Sequence, residues 1–182
     1  TANGRIVYEG HGIQPDVKIE PEMLSTITAH LYAQNMIFKY ANKFYREHKT
    51  IASPDKFEIT DEIYNDFVKF VESQDFKYTS ESEKDFEELV KTAKTEGYYD
   101  NIKEQLDLLE EELKSHKDND LVNNKKEISD ILKMEIVSRY YFQKGRIISA
   151  LNDDTELKRA VEILLNSNGK NEYETILKGI NN

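Results

Sequence analysis

The sequence predicts a mainly α-helical protein, in which a multi-helix accessory domain follows a short β segment. Over most of residues 21–182 apolar residues recur every three to four positions, which is the spacing of one helix face. Residues 1–20 lack that spacing and hold three of the seven glycines and one of the three prolines, and Pro21 follows directly. Leu, Ile, Val and Phe together make up 47 of the 182 residues, enough for a packed core.

The first element is a pair of short extended segments. Residues 5–8 and 16–19 are rich in β-branched side chains, and the stretch between them is rich in turn-forming residues. Two short strands do not stand alone in water, so we expect them to join a sheet formed elsewhere. The chain also begins without Met. We therefore expect a piece of a longer protein, divided into residues 1–20 and a helical domain of residues 21–182.

A single helix of about seven turns is predicted over residues 21–48, with Pro21 in its first turn, where its missing N–H is not needed. Its predicted apolar face consists of Leu24, Ile27, Leu31, Phe38, Ala41 and Phe44. Thr60 is predicted to cap the next helix. Ser80 and Glu83 form a capping-box pattern before a third helix, which Gly97 is expected to weaken or end.

Three further helices are expected beyond Gly97. Ile102, Leu106, Leu109 and Leu113 form a narrow apolar seam, too short for an autonomous coiled coil. After Asp118-Asn119-Asp120, a long helix is marked by Leu121, Ile128, Leu132, Ile136, Tyr140 and Ile147. Residues 152–154 are expected to cap a last amphipathic helix containing Leu157, Val161, Leu164 and Leu165. Residues 173–177 are predicted to add one or two turns.

The formal net charge of −10 argues against partners that are polyanions. Nucleic acid and anionic lipid bind clustered Lys and Arg, and the longest basic run is Lys125-Lys126. No apolar run is long enough for a transmembrane helix. We therefore expect no nucleic-acid binding and no membrane insertion. The absence of cysteine excludes thiolate metal sites and a Cys nucleophile.

Few residues suggest chemistry. Ser53 and Lys56 match the Ser-x-x-Lys spacing of one class of acyl-transfer enzymes, but the accessory motifs are absent and a capped turn is the favoured interpretation. The four histidines, His11, His30, His48 and His116, are scattered and form no metal motif. Asp118-Asn119-Asp120 resembles the start of a calcium loop, yet the later ligand positions are wrong, which favours a helix cap. We assign no catalytic, cofactor-binding or metal residue and expect no cofactor.

Aromatic residues are the remaining candidates for binding. There are eleven tyrosines and eight phenylalanines but no tryptophan. Tyr98-Tyr99 and Tyr140-Tyr141-Phe142 place rings on adjacent faces of predicted helices. Packing between helices is the favoured role. A groove for a protein partner remains the alternative, since tyrosine is a frequent interface anchor.

The first twenty residues carry a specific resemblance. Thr1-Ala2-Asn3-Gly4-Arg5-Ile6-Val7 and Gly12-Ile13-Gln14-Pro15-Asp16-Val17 resemble the T-x-x-G-R-x-(I/V) … G-I-x-P-D-(I/V) element near the end of the peptidase core in carboxyl-terminal processing peptidases, also called tail-specific proteases. The match covers about a tenth of the chain. The helical remainder looks like the C-terminal extension found in a subset of that family. The matching residues, Gly4, Arg5, Gly12, Ile13, Pro15 and Asp16, would have structural roles.

This resemblance implies a parent serine endopeptidase with a Ser-Lys dyad, which cuts proteins near nonpolar C-termini in the bacterial periplasm or cell envelope. In the family both dyad motifs lie upstream of the matched element, so we expect this chain to lack them and to be inactive alone. The expected partners are its own peptidase core, a homo-oligomer and the protein substrates of the parent.

Two other functions stay open. A free-standing helical adaptor would bind a protein partner through aromatic helix faces, but it has no need for an orphan strand pair. An independent hydrolase using Ser53 and Lys56 is the third, and it lacks the accessory motifs of that enzyme class.

Overall fold

The computed structural model describes residues 15–21, 23–165 and 167–178. Within these ranges the secondary structure is helical and contains no strand. The predicted all-α accessory domain is therefore confirmed. Its helices are α1 (Thr26–Ala33), α2 (Met36–Glu47), α3 (Asp61–Ser73), α4 (Glu81–Glu96), α5 (Tyr99–Asp118), α6 (Asp120–Asn123), α7 (Lys125–Ala150), α8 (Thr155–Leu165) and α9 (Ser167–Lys178).

The described residues belong to two compact units. One consists of residues 24–149 and contains α1 to α6 and nearly all of α7. The other contains α8 and α9 together with the described residues before Leu24. Residues 5–8 and most of the peptidase-like element lie outside the described part of the chain. Residues 16–19, predicted to be extended, form a bend and irregular backbone there.

The core of residues 24–149 is a cluster of buried side chains from α1, α2, α3 and α7, together with Phe57 from the loop before α3. Its fully buried members include Leu31, Ile37, Tyr40, Phe67, Ile128, Leu132 and Ile136. Burying an aliphatic or aromatic side chain of this kind contributes roughly 1.5–3 kcal/mol. Two hydrogen bonds tie the start of α1 to α7, since the backbone N–H and the hydroxyl of Ser25 donate to Glu127 Oε1 at 2.9 and 3.0 Å.

The predicted single helix over residues 21–48 is wrong. The chain breaks between α1 and α2, where Asn35 adopts a left-handed conformation with φ 59°. A continuous helix would place Gln34 and Asn35 below Leu31 on the core face. The break changes the helical phase and returns Met36 and Ile37 to the core, both nearly inaccessible. Ser25, rather than Pro21, marks the helix start, and its hydroxyl accepts from the Thr28 N–H.

The predicted helix ends are largely confirmed. Thr60 caps α3, Ser80 and Glu83 form a reciprocal capping box on α4, and Gly97 ends α4 with φ 82°. Asp154 Oδ1 accepts from the Leu157 N–H at the start of α8. α9 is longer than the one or two turns predicted for residues 173–177.

The α4–α5 pair and the α8–α9 pair have small cores. In the first pair Ala93 and Leu106 are buried, whereas Leu109 of the predicted seam is 43% exposed. In the second pair Ile163 and Ile176 are buried and Arg159 pairs with Glu172. Leu157, Val161, Leu164 and Leu165, predicted for the apolar face of α8, are exposed. None of the helices in the described ranges is both long and apolar enough to cross a bilayer.

Candidate interaction surface

Ser53 and Lys56 lie in a tight turn before α3. The Ser53 carbonyl accepts from the backbone N–H groups of Lys56 and Phe57 at 2.8 and 2.9 Å. The Ser53 side chain hydrogen-bonds to Asp55 and lowers the pKa of that carboxyl. The neighbouring Phe57 is buried in the core, so the turn anchors the loop. The capped-turn interpretation is confirmed.

The histidines lie in separate places. His30 packs against Tyr78 with ring centroids 5.3 Å apart, and His48 stacks on Phe44 at 4.0 Å. His116 lies in the last turn of α5, and His11 falls outside the described residues. In the described ranges no group of three or more His, Asp or Glu side chains is arranged to hold a metal ion.

Asp118-Asn119-Asp120 forms the junction between α5 and α6. The Asn119 side chain donates to the Ser115 carbonyl at 2.9 Å and so satisfies the end of α5. Asp120 accepts from the Tyr78 hydroxyl. Lys117 joins the same cluster, with Nζ 2.8 Å from the Glu83 carboxylate. These residues tie the α4–α5 pair to the loop before α4. The predicted boundary at residues 118–120 is confirmed, but Asn119 does not cap α6 through its side chain. The predicted long helix is also interrupted, since Leu121 lies in α6 and α7 begins at Lys125.

The most distinctive surface lies on the outer side of α2. Positions i, i+4 and i+7 of a helix share one face, so Phe38, Asn42 and Tyr45 form one stripe. Lys39, Lys43 and Arg46 form a basic stripe beside it by the same spacing. Phe38 is 51% exposed and Tyr45 is 48% exposed. We call Phe38, Lys39, Asn42, Tyr45 and Arg46 the α2 outer face.

α7 fixes the aromatic stripe in place. The Arg139 guanidinium lies 4.7 Å from the centroid of the Phe38 ring, a cation–π contact. Arg139 Nε also donates to Asn42 Oδ1 at 2.8 Å, and Nη2 lies 2.8 Å from Glu135 Oε1. Two contacts therefore join the Arg139 guanidinium to α2, and Glu135 of α7 holds it from its own helix. This gives Phe38 a defined position despite its exposure.

Tyr140 supports the other end of the stripe. Its ring meets that of Tyr45 edge-on with centroids 4.8 Å apart. Its hydroxyl donates to the His48 carbonyl at 2.6 Å. Burial raises the pKa of Tyr140, which keeps this donor protonated. Two other aromatics were predicted to pack between helices. The Tyr99 ring makes a cation–π contact with Lys94, whose Nζ lies 4.8 Å from the ring centroid, whereas Phe142 is 77% exposed.

Among the residues that the structure describes, two of the three cations in the basic stripe have no carboxylate partner. Lys43 Nζ lies 2.7 Å from Asp66 and 3.1 Å from Glu47. The hydrogen bond to Asp66 raises the pKa of Lys43, and that same bond lowers the pKa of Asp66. Lys39 and Arg46 pair with no carboxylate in the part of the chain that the structure describes. Both line an open groove of about 570 Å³ between α2 and α3, together with Asn42, Lys43, Tyr45, Phe70 and Gln74.

This surface differs from what the sequence predicts. Phe38 was expected on the buried face of a single helix, but the break at Asn35 turns it outward. Leu24 and Ile147 were likewise expected to be apolar-face residues and are exposed. The i, i+4, i+7 spacing of Lys39, Lys43 and Arg46 was available in the sequence as a signal. The α2 outer face offers cations, an amide and aromatic rings, which are groups that bind peptides.

Comparison with known protein families shows where the chain belongs. A family model described as "Probable PDZ-protease, C-terminal helical domain" matches residues 27–164, or 138 of the 182 residues. The chain belongs to this family. No curated protein and no solved structure matches it. The match runs from α1 into α8, so this PDZ-protease helical domain includes the α2 outer face. The expectation that the helical part is a C-terminal segment of a protease is therefore confirmed.

Proposed function

We propose that the chain is the non-catalytic C-terminal portion of a serine endopeptidase that processes proteins near their C-termini. The observation that carries the proposal is the family match over residues 27–164, because it associates the helices with proteases that contain a PDZ domain. The peptidase-like element in residues 1–17 supports the narrower assignment to tail-specific proteases with a Ser-Lys dyad. The helical domain then serves assembly of the parent or access of substrate to it.

The intact mass of the native polypeptide tests whether this chain is part of a larger peptidase. An antibody raised against residues 22–182 is used to detect the protein in its source cells, and its intact mass is measured. We expect a species far heavier than 21.3 kDa. A species near 21.3 kDa would overturn the proposal and favour the free-standing adaptor, for which the exposed rings of the α2 outer face are the supporting observation.

The cleavage specificity of the parent protein, isolated with the same antibody, tests whether it is a tail-specific protease. We expect it to cleave a reporter protein that ends in a nonpolar tail and to spare the same reporter ending in two aspartates. Replacing the predicted dyad lysine in the parent should abolish cleavage, since an amine acts as the general base of such a serine. Equal cleavage of both reporters would contradict the tail-specific assignment.

The role of the helices is tested by deletion. A parent lacking residues 22–182 should lose normal assembly or substrate selection while its peptidase core remains folded. Unchanged folding, assembly and cleavage would rule out this role.

We further propose a periplasmic or cell-envelope location, which the family resemblance supports. Release of the protein by osmotic shock or its recovery with envelope membranes is expected, and recovery only with cytoplasmic markers would contradict the location.

A further inference from the structure

We propose that the α2 outer face is a binding site for an acidic segment of another protein that carries an aromatic or aliphatic side chain beside its carboxylates. The proposal goes beyond the assigned parent activity and does not depend on it. It rests on Lys39 and Arg46, which have no carboxylate partner within the described residues, and on the groove that these two cations line. It rests also on the exposed rings of Phe38 and Tyr45 beside them.

Charge complementarity decides the chemistry of the partner. The chain as a whole carries −10, yet the groove between α2 and α3 is lined by Lys39, Lys43 and Arg46. Only Lys43 is neutralised by carboxylates within the described residues. An acidic segment would be repelled by most of this protein and attracted at this groove, so the charge pattern provides specificity as well as affinity.

Spacing on the helix fits an extended peptide. Lys39 and Arg46 are seven residues apart, which is about 10 Å along the helix axis. An extended chain covers that distance in about three residues. Carboxylates within one short peptide can therefore reach both cations at once.

The aromatic stripe supplies the apolar part of the site. Phe38 and Tyr45 expose about half of their surface but are held by Arg139 and Tyr140. Rings fixed in this way lose little conformational entropy when a ligand covers them, as is typical of interface anchors. A side chain of the bound segment that lies between Phe38 and Tyr45 would be buried beside the ion pairs.

A second copy of this chain is the competing occupant. Residues 81–118 contain 13 Asp and Glu against 6 Lys, a net charge of −7, and expose Leu89, Leu108 and Leu109. Docking of that pair of helices on the α2 outer face of another copy would give a head-to-tail contact. The test below separates self-association from binding of a different protein.

The experiment measures binding of a fluorescein-labelled peptide, Ser-Glu-Phe-Glu-Glu-Phe-Glu-Ser, to the full chain by fluorescence anisotropy. A peptide with Gln for every Glu and a peptide with Ser for both Phe serve as ligand controls. We expect the acidic aromatic peptide to bind and both control peptides to bind at least about tenfold more weakly. Binding should weaken further as salt is raised, because the cations are exposed.

Two charge-reversal variants locate the site. K39E/R46E should weaken binding at least about tenfold. K91E/K158E makes the same change in net charge with exposed lysines on α4 and α8, and it should change binding less than about twofold. F38A should also weaken binding, while circular dichroism confirms that each variant stays folded.

Three results would overturn the proposal. The first is equal weakening by K39E/R46E and K91E/K158E, which would mean unspecific charge attraction. The second is no measurable binding of the peptide to the unmodified chain. The third is a concentration-dependent oligomer that K39E/R46E dissociates while the peptide fails to bind, which would assign the surface to a second copy.

Discussion

Phe142 adopts a backbone conformation that favours glycine. Its φ of 55° and ψ of −158° interrupt α7, and its side chain is largely exposed. Such a conformation costs a non-glycine residue roughly 1–3 kcal/mol. Gly145 follows three residues later, and its backbone lies close to the Tyr141 side chain of the same helix. A Cβ at Gly145 would collide with the Tyr141 Cβ. The end of α7 is therefore shaped by one strained residue and one obligatory glycine.

We expect Phe142→Gly to stabilise the protein by about 1 kcal/mol. The strain removed exceeds the extra backbone entropy that glycine loses on folding, and little apolar burial is lost. Urea unfolding of the variant and of Phe142→Ala, which keeps the strain, measures the effect. A glycine variant no more stable than the alanine variant would show that α7 is unstrained at this point.

Tyr64 gives the domain a predictable weakness at high pH. Its hydroxyl donates to the Leu121 carbonyl at 2.5 Å, and burial raises its pKa from 10.0 to about 12. Below pH 10 both folded and unfolded chains keep this proton, so this group adds no pH dependence to the free energy of unfolding. As pH rises from about 10 towards 12, only the unfolded chain releases the proton, and the free energy of unfolding falls.

The test compares urea midpoints at about pH 9 and about pH 11 for the unmodified chain and for Tyr64→Phe. The phenylalanine variant should be less stable at the lower pH because it lacks the hydrogen bond to Leu121. It should then lose less stability on going to the higher pH, since one raised tyrosine pKa has been removed. Equal losses in the two proteins would contradict the assignment to Tyr64.

At the scale of single helices, sequence predicted the ends better than the breaks. Thr60, Ser80 and Gly97 act through hydrogen bonds or dihedral angles within a few residues, so local sequence contains the necessary information. The break at Asn35 depends on which side chains reach the core, and its local signal was a polar Gln34-Asn35 pair at expected core positions. The basic stripe is visible in the spacing of Lys39, Lys43 and Arg46. The positions of Phe38, Asn42 and Tyr45 could not be predicted, because Arg139 and Tyr140, about 95 to 100 residues away, hold them.

The capping box of α4 makes a measurable contribution to the stability of that helix. Ser80→Ala removes the acceptor of the Glu83 N–H and should destabilise α4 by about 1 kcal/mol. Faster amide hydrogen exchange in α4, with little change in α3, is the expected readout. Ser82→Ala is the matched control, because Ser82 is exposed in the same turn and outside the capping box. Equal acceleration by both substitutions would show that the box contributes nothing specific.

At the scale of the whole molecule, core size differs sharply between the two compact units. The large buried cluster lies entirely within residues 24–149 and draws on four helices. Among the described residues of the other unit, α8 and α9 bury Ile163 and Ile176 and leave Leu164 and Leu165 exposed. Two short helices that bury so little apolar surface against each other do not offset their own chain entropy.

We therefore expect a polypeptide of residues 24–149 to unfold cooperatively in urea, with a midpoint close to that of the full chain. The buried cluster, from Ile27 to Val137, is retained in it entirely. The isolated peptide 150–182 should show only a weak helical circular dichroism signal, because two short helices with a minimal core are marginal in water. A non-cooperative transition for residues 24–149 would mean that its core is completed by residues outside that range, and the division into two units would then not describe folding.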